Sequence, residues 1–487
     1  MFIILFNSVQ TDGKGDFSHL IDIYSALRSD PKLNQIKIIP VIHTSLYPVE
    51  NFECQLRKLN LDEYFITNEA LEEHQPICSN VQLQIYLSQA IQFFLISYRS
   101  FAHDDLKQYF NPAAITKYIG EHEAGDQYES SIFKISRSMG LSKGKYGIKL
   151  SNQKKTLEEC LVDENDSIFL NTLLENTNSA DIDSFKKNYL FATAYFSEIL
   201  VFLKFLLFIS NNENLNNNDV VIFFSGNFKS LKKSLDDNFI NKNTRLSKLS
   251  YFSNSNIKTI ELITKDSKNR KIYPINNSGS KTLKIFANFF LSDEFYNHIY
   301  QWAFIAGVSG DNTLEKAISN KVLPYYCSTN FDFKKPTIKA LQAISKQVIS
   351  NDNSLANEFN CYFDVENFQC YNYYLCNTCD SYFDTFKKIN LKGLIDNWNK
   401  IADYIIEHYN FYDKLPEIFY EGLDPQLINQ INSTERKLNS MENDNSTFDI
   451  SEYTYSQISN WFPQGTMNLQ DTTTEPSKIN SISNKLK

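Results

Sequence analysis

Phe2-Ile3-Ile4-Leu5-Phe6 is an unbroken apolar run. It has no wet face, and its length suits a strand covered on both sides of a parallel sheet. The loop Gln10-Thr11-Asp12-Gly13-Lys14-Gly15-Asp16 follows. Phe17 to Ser29 then sets Leu20, Ile21, Ile23, Tyr24 and Leu27 on one helical face, and Asp30-Pro31 stops the helix. A second apolar strand runs from Ile36 to Ile42. Parallel neighbours need a crossover, so this order commits the chain to an α/β sheet. The same grammar returns later. Val220–Phe224 ends in Ser225-Gly226-Asn227 and leads into a helix over 228–240. Trp302–Val308 ends in Ser309-Gly310, opens a helix at Asp311 and is followed by Val322-Leu323-Pro324-Tyr325-Tyr326.

The expected fold is therefore α/β, with two doubly wound Rossmann-like domains. A chain of 487 residues is too long for one core, and 42% apolar content supplies enough side chains for two. The Asn-rich stretch 211–219 reads as the boundary. It gives an N-terminal domain over 1–210, a second over 220–355, a helical segment over 356–432 and a flexible polar tail over 433–487. Val81–Phe101 and Lys186–Ile209 read as helices. Ala114–Gly120, Ile257–Ile263 and Thr282–Phe289 read as strands, with Ser292 capping a short helix. Ile199–Ile209 is the longest apolar run. Lys204 breaks it and it is too short to span a bilayer, so a buried helix, a soluble chain and a cytoplasmic setting are expected. The opening apolar run lacks the flanks of a signal peptide. A net charge of -9 argues against nucleic acid as a partner. The eight scattered cysteines fit reduced thiols, and Cys376-Asn-Thr-Cys379 lacks the second pair of a zinc site.

The opening of the helix at Asp311 is the leading candidate for an anion site. A helix N-terminus offers free N–H groups and partial positive charge. Gly310 allows close backbone approach, and Ser309, Asp311, Asn312, Thr313 and Glu315 bring polar side chains. Gly226 and Asn227 would line the other wall, with Gly15 at the corresponding turn of the first unit. Phe286, Phe289 and Phe290 are candidates to pack on a base. Asp12 and Asp16 flank the glycine turn after the first strand, where a carboxylate can act as general base. His19, Glu121, His122 and Glu123 are further acid/base or acceptor candidates. Asp181-Ile-Asp183 reads as helix capping rather than metal binding. No cluster has metal-ligand spacing, and no cofactor is expected. GxxxxGK[ST] is absent, and Gly13-Lys-Gly15-Asp-Phe-Ser18 lacks both the last glycine and the acidic residue of a dinucleotide fingerprint.

Taken together, these motifs resemble those of GT-B glycosyltransferases, in which two such domains face a cleft. Asp12-Gly13-Lys14-Gly15-Asp16 resembles the acidic loop of the elongation factor P arginine rhamnosyltransferases. Gly310-Asp311-Asn312-Thr313 resembles their Gly-acid-Asp-Ser stretch, with Asn312 in place of an acid. Gly310, Thr313 and Glu315 are similar, more distantly, to the donor helix of the lipid-linked N-acetylglucosaminyl transferases. The resemblance implies an inverting, metal-independent transferase. It would take a UDP-, GDP- or dTDP-sugar at the second domain and use Asp12 or Asp16 as base toward an acceptor such as a protein side chain. A non-hydrolysing UDP-sugar 2-epimerase, with Glu121, His122 and Glu123 around the sugar, is the alternative enzyme. A catalytically inactive binding module is the non-enzymatic one. The Ser-, Thr- and Glu-rich tail resembles the secretion signals of bacterial effectors.

Overall fold

The computed structural model describes residues 2–9, 15–29, 33, 36–44, 64–68, 81–96, 111, 114–120, 135–151, 155–196, 198–212, 219–240, 256–265, 270–327, 334–364, 389–426 and 428. Strand β1 (Phe2–Val9) lies in the middle of a parallel sheet, between β2 (Lys37–Thr44) and β4 (Ala90–Ile96). With β3 (Phe65–Asn68), β5 (Ile115–Gly120) and β6 (Ile135–Ser138) the order is β3-β2-β1-β4-β5-β6. Ile3, Ile4 and Leu5 are all fully buried, so water reaches neither face of β1 and its sequence shows no alternation. Helix α1 (Gly15–Ser29) crosses from β1 to β2 and buries Leu20, Ile23 and Leu27.

Helix α2 (Val81–Gln89) stops where the sequence reading continued it to Phe101. Ala90–Ile96 is a strand, its Phe93 and Leu95 packed with Ile4 and Ile39. A continuous apolar segment carries no period to separate helix from strand, and here the slot beside β1 decides.

The second sheet holds β7 (Tyr189–Tyr195), β8 (Asp219–Phe224), β9 (Ile257–Ile263), β10 (Lys271–Pro274), β11 (Lys281–Ala287), β12 (Ala303–Val308) and β13 (Leu323–Tyr326). Its order is β10-β9-β11-β8-β7-β12-β13, parallel except for β10. Val220, Ile222 and Phe224 of β8 enter one core cluster, while Val221 and Phe223 enter another. Both faces are therefore covered, and the expected pair of doubly wound α/β layers is the observed architecture.

One strand departs from the expected division of the chain. Tyr189–Tyr195 is not helical but a central strand of the second sheet, paired with β8 and β12. It is preceded by helices α3 (Leu157–Cys160), α4 (Glu164–Thr177) and α5 (Ile182–Asn188). The Phe169 ring of α4 meets those of Phe223 and Phe289 at 5.0 and 5.2 Å. The second layer thus begins well before 211–219. Helix α6 (Ile199–Asn211) is buried from Val201 to Ser210, Lys204 included, which explains its uniform apolarity.

Helices α7 (Phe228–Phe239), α8 (Asp293–Ile299), α9 (Asp311–Ser319), α10 (Lys335–Val348) and α11 (Asn353–Tyr362) follow. Helix α12 (Leu391–His408) places Leu391, Leu394, Trp398 and Ile401 in the second core. Helix α13 (Phe411–Tyr420) returns to the first sheet. There Gln92 Nε2 donates to the Phe419 carbonyl at 2.8 Å, and Lys117 Nζ donates to the carbonyls of Ile418 and Phe419. The outgoing and returning crossings are tied together. Ile148 N donates to Tyr409 O and Phe411 N to Ile148 O, both at 2.8 Å. The CxxC at Cys376 and the tail 433–487 lie outside the described residues.

Candidate active site

Each sheet has one place where the chain, having laid strands on one side, begins to lay them on the other. In the first sheet it falls between β1 and β4, and in the second between β7 and β12. Open α/β sheets bind ligands in the crevice beyond the carboxyl ends of the strands at these points. Helix α1 opens after β1 at Gly15-Asp16, and α9 opens after β12 at Asp311. Gly15-Asp16 of the first motif and Gly310–Thr313 of the second stand at switch points.

The start of α9 is built from its own residues. Gly310 is the N-cap, with φ −110°. The Thr313 hydroxyl donates to Gly310 O at 2.8 Å and accepts from Gly310 N at 3.3 Å. Thr313 is buried, and its hydroxyl serves the turn rather than the crevice. Among the described residues, a Cβ on Gly310 would meet Thr313 Oγ1 at 3.7 Å and the Tyr195 ring at 3.9 Å, both ordinary contacts. Asp311 turns to the other side: its Oδ1 accepts from the Tyr326 hydroxyl at 2.8 Å and from Lys334 Nζ at 2.6 Å. Burial, reinforced by Asp311, holds the Tyr326 hydroxyl well above its usual pKa, so it stays a donor.

Behind the same helix lies Lys149, a buried lysine that the sequence reading did not select. Its Nζ donates to Asp22 Oδ2 of α1 at 2.7 Å and to Asn312 Oδ1 at 3.3 Å, and lies 3.7 Å from Glu315 Oε2. Its backbone N–H donates to Glu315 Oε1 at 2.9 Å. Burial works against the ammonium, but Glu315 and Asp22 outweigh it and raise its pKa. Glu315, a donor-binding candidate in the sequence, is buried and pairs with this lysine. Lysine between Ile148 and Leu150, and Asp22 between Ile21 and Ile23, interrupt apolar positions. That is the signal from which such a pair could have been found.

The opposite wall is formed at the end of β8. Asn227 is exposed and caps α7, its Oδ1 accepting from Ser230 N at 3.0 Å. Gly226 is obligatory for packing, since a Cβ would lie 2.5 Å from the Phe224 ring and 2.6 Å from Phe196 O. Ser225 Oγ shares a 3.1 Å hydrogen bond with the Tyr296 hydroxyl. Lys316 Nζ sits 4.6 Å from the centre of the Tyr296 ring, and burial lowers its pKa against the pull of Asp293. Of the three phenylalanines, Phe286 and Phe289 belong to the core with Phe169, whereas Phe290 is 77% exposed just beyond β11.

Asp12, Glu121, His122 and Glu123 lie outside the described residues. Gly15 and Asp16 form the first turn of α1, and His19 is buried one turn on. Asp181 caps α5, its Oδ1 accepting from Ser184 N at 2.7 Å. Among the described residues no helix is long and apolar enough to cross a membrane.

No protein-family model matches the chain, and no curated protein matches it in sequence. Solved structures do align with it. Anabaena HepE in complex with UDP and glucose is 8% identical with a TM-score of 0.42, over 86% of this chain and 98% of that one. An α-glucosyltransferase in complex with UDP-glucose and DNA containing an abasic site is 10% identical with a TM-score of 0.41, over 86% and 98%. The UDP-GlcNAc 2-epimerase of Neisseria meningitidis bound to UDP-GlcNAc is 10% identical with a TM-score of 0.35, over 84% and 100%. At such values they carry no argument about this chain's activity.

Proposed function

We propose that the chain is a GT-B glycosyltransferase that moves a sugar from a nucleotide-sugar to an acceptor with inversion. One observation carries the reading: the two switch-point helices, α1 and α9, share the ammonium of Lys149 through Asp22, Asn312 and Glu315. Asp16 lies six residues before Asp22, about 9 Å along the axis of α1. The first turn of α1, with Asp16, and the anion-binding turn of α9 would then line a common cleft.

The donor diphosphate would lie against the N-terminus of α9, held by its free N–H groups, Ser309 and the Asn312 amide. Phe290 supplies an exposed ring for the base. It stands three strand positions from β12, about 14 Å, which suits an extended nucleoside diphosphate. Asp12 or Asp16 takes the proton of the acceptor as its heteroatom bonds to the anomeric carbon. The bond from that carbon to the diphosphate oxygen breaks on the opposite face. Negative charge then grows on the leaving diphosphate, where the dipole of α9 and the nearby Lys316 oppose it. The resemblance to arginine-modifying enzymes directs the acceptor search to protein side chains.

The test is release of nucleoside diphosphate from UDP-, GDP- and dTDP-sugars by the full chain, in the presence of unfolded and folded protein acceptors. One donor should be turned over, and Asp12→Asn or Asp16→Asn should abolish turnover while leaving donor binding in place. Turnover equal to wild type in both variants would remove the assigned base.

A further inference from the structure

Lys149 lies outside the chemistry just described, yet it is the most connected buried cation at the site. A lysine ammonium has only donors, so its 3.3 Å contact fixes which end of the Asn312 amide faces it: the oxygen. The NH2 end is the remaining group, and among the described residues no hydrogen bond from Asn312 Nδ2 is found. Asn312 is the second residue of α9, where an NH2 group adds donors to the free N–H groups of the first turn. The ammonium itself is anchored from two elements, by Asp22 on α1 and by Glu315 one turn further along α9. The strand-like strap that carries Lys149 runs along α9, with Lys149 N bonded to Glu315 and Ser151 N donating to Ser319 Oγ at 3.1 Å.

We propose that Lys149 is a positioning residue of the donor site, holding Asn312 with its amide oxygen turned inward so that the amide NH2 is presented to a bound phosphate. The proposal rests on the donor-site reading given above. It also accounts for the asparagine at this position. An aspartate there would offer Lys149 the same acceptor but would set a second carboxylate, beside Asp311, at the place where a diphosphate must sit.

The test is a double-mutant cycle read by calorimetric titration with UDP, GDP and dTDP. Lys149→Met and Asn312→Ala should each weaken the preferred nucleotide by about fivefold or more, and the double variant should be no weaker than Asn312→Ala within about twofold. A lysine that merely stabilises the fold would lower the melting temperature, and its effect on affinity would multiply with that of Asn312→Ala. That multiplication would overturn the proposal. Should Lys149→Met fail to fold, Asn312→Asp decides: it keeps the acceptor for Lys149, so it should fold with an undiminished melting temperature and lose about tenfold in affinity. Wild-type affinity in Asn312→Asp would equally overturn it. If the wild type binds none of the three nucleotides, the donor-site reading itself falls and the role of Lys149 with it. Tight wild-type binding with multiplying effects would sink the role of Lys149 alone.

Discussion

Two glycines that look alike in the sequence do different things. Gly226 has no room for a methyl group, because the Phe196 carbonyl and the Phe224 ring close on it. Gly226→Ala should cost about 1–3 kcal/mol in chemical denaturation, from the strain of overpacking. Gly310 has room, and its φ of −110° suits any residue. Gly310→Ala should therefore leave stability within about 0.5 kcal/mol of wild type. It should nevertheless weaken nucleotide binding if a phosphate approaches the backbone there. A large stability loss in Gly310→Ala would show that the turn is a packing feature. Among the polar candidates, residue type alone could not separate Asp311, Thr313 and Glu315, all within one short stretch. Their partners Lys334, Gly310 and Lys149 lie either far away in sequence or on the backbone, and only the fold brings them together.

The elements were legible where the pattern had a period or a stop, as in α1, closed by Asp30-Pro31, and in β9, whose limits match the apolar run Ile257–Ile263. They were not legible at Ala90–Ile96 and Tyr189–Tyr195. Each follows a helix directly, with no glycine or proline to mark the change from helix to strand. Helix α13 falls within the expected helical segment 356–432, and its attachment is unusual. The fully buried Lys117 donates to the carbonyls of Ile418 and Phe419 in the last turn of α13, where a cation opposes the helix dipole. Burial pulls its pKa down to about 7 from 10.5, with Glu421 opposing. Below about pH 7 the folded and unfolded chains both hold the proton. Between about 7 and 10.5 the unfolded chain binds more protons than the folded one, so stability rises with pH there. Relative to Lys117→Met, the wild type should gain up to about 1.4 kcal/mol per pH unit across that window. A flat difference between pH 7 and 9.5 would show that Lys117 keeps its ordinary affinity for the proton in the fold.

At the scale of the whole molecule, the described residues tie the two α/β layers together around one strap. The strap around Ile148 pairs with Tyr409 and Phe411 of the returning chain, and Lys149, next in sequence, binds both switch-point helices. Lys149 thereby ties α1 to α9 beside the crevice proposed as the donor cleft. The central claim is that this cleft holds a nucleotide-sugar. Its most direct test is the melting temperature of the full chain with UDP-, GDP- and dTDP-sugars, each measured alone. A ligand at about 100 times its Kd adds about 2.7 kcal/mol, so one nucleotide class should raise the melting temperature by at least about 2 °C, and Asn312→Asp, binding about tenfold more weakly, should cut the rise to about half. No shift with any of the three, or a shift that Asn312→Asp leaves intact, would contradict the account.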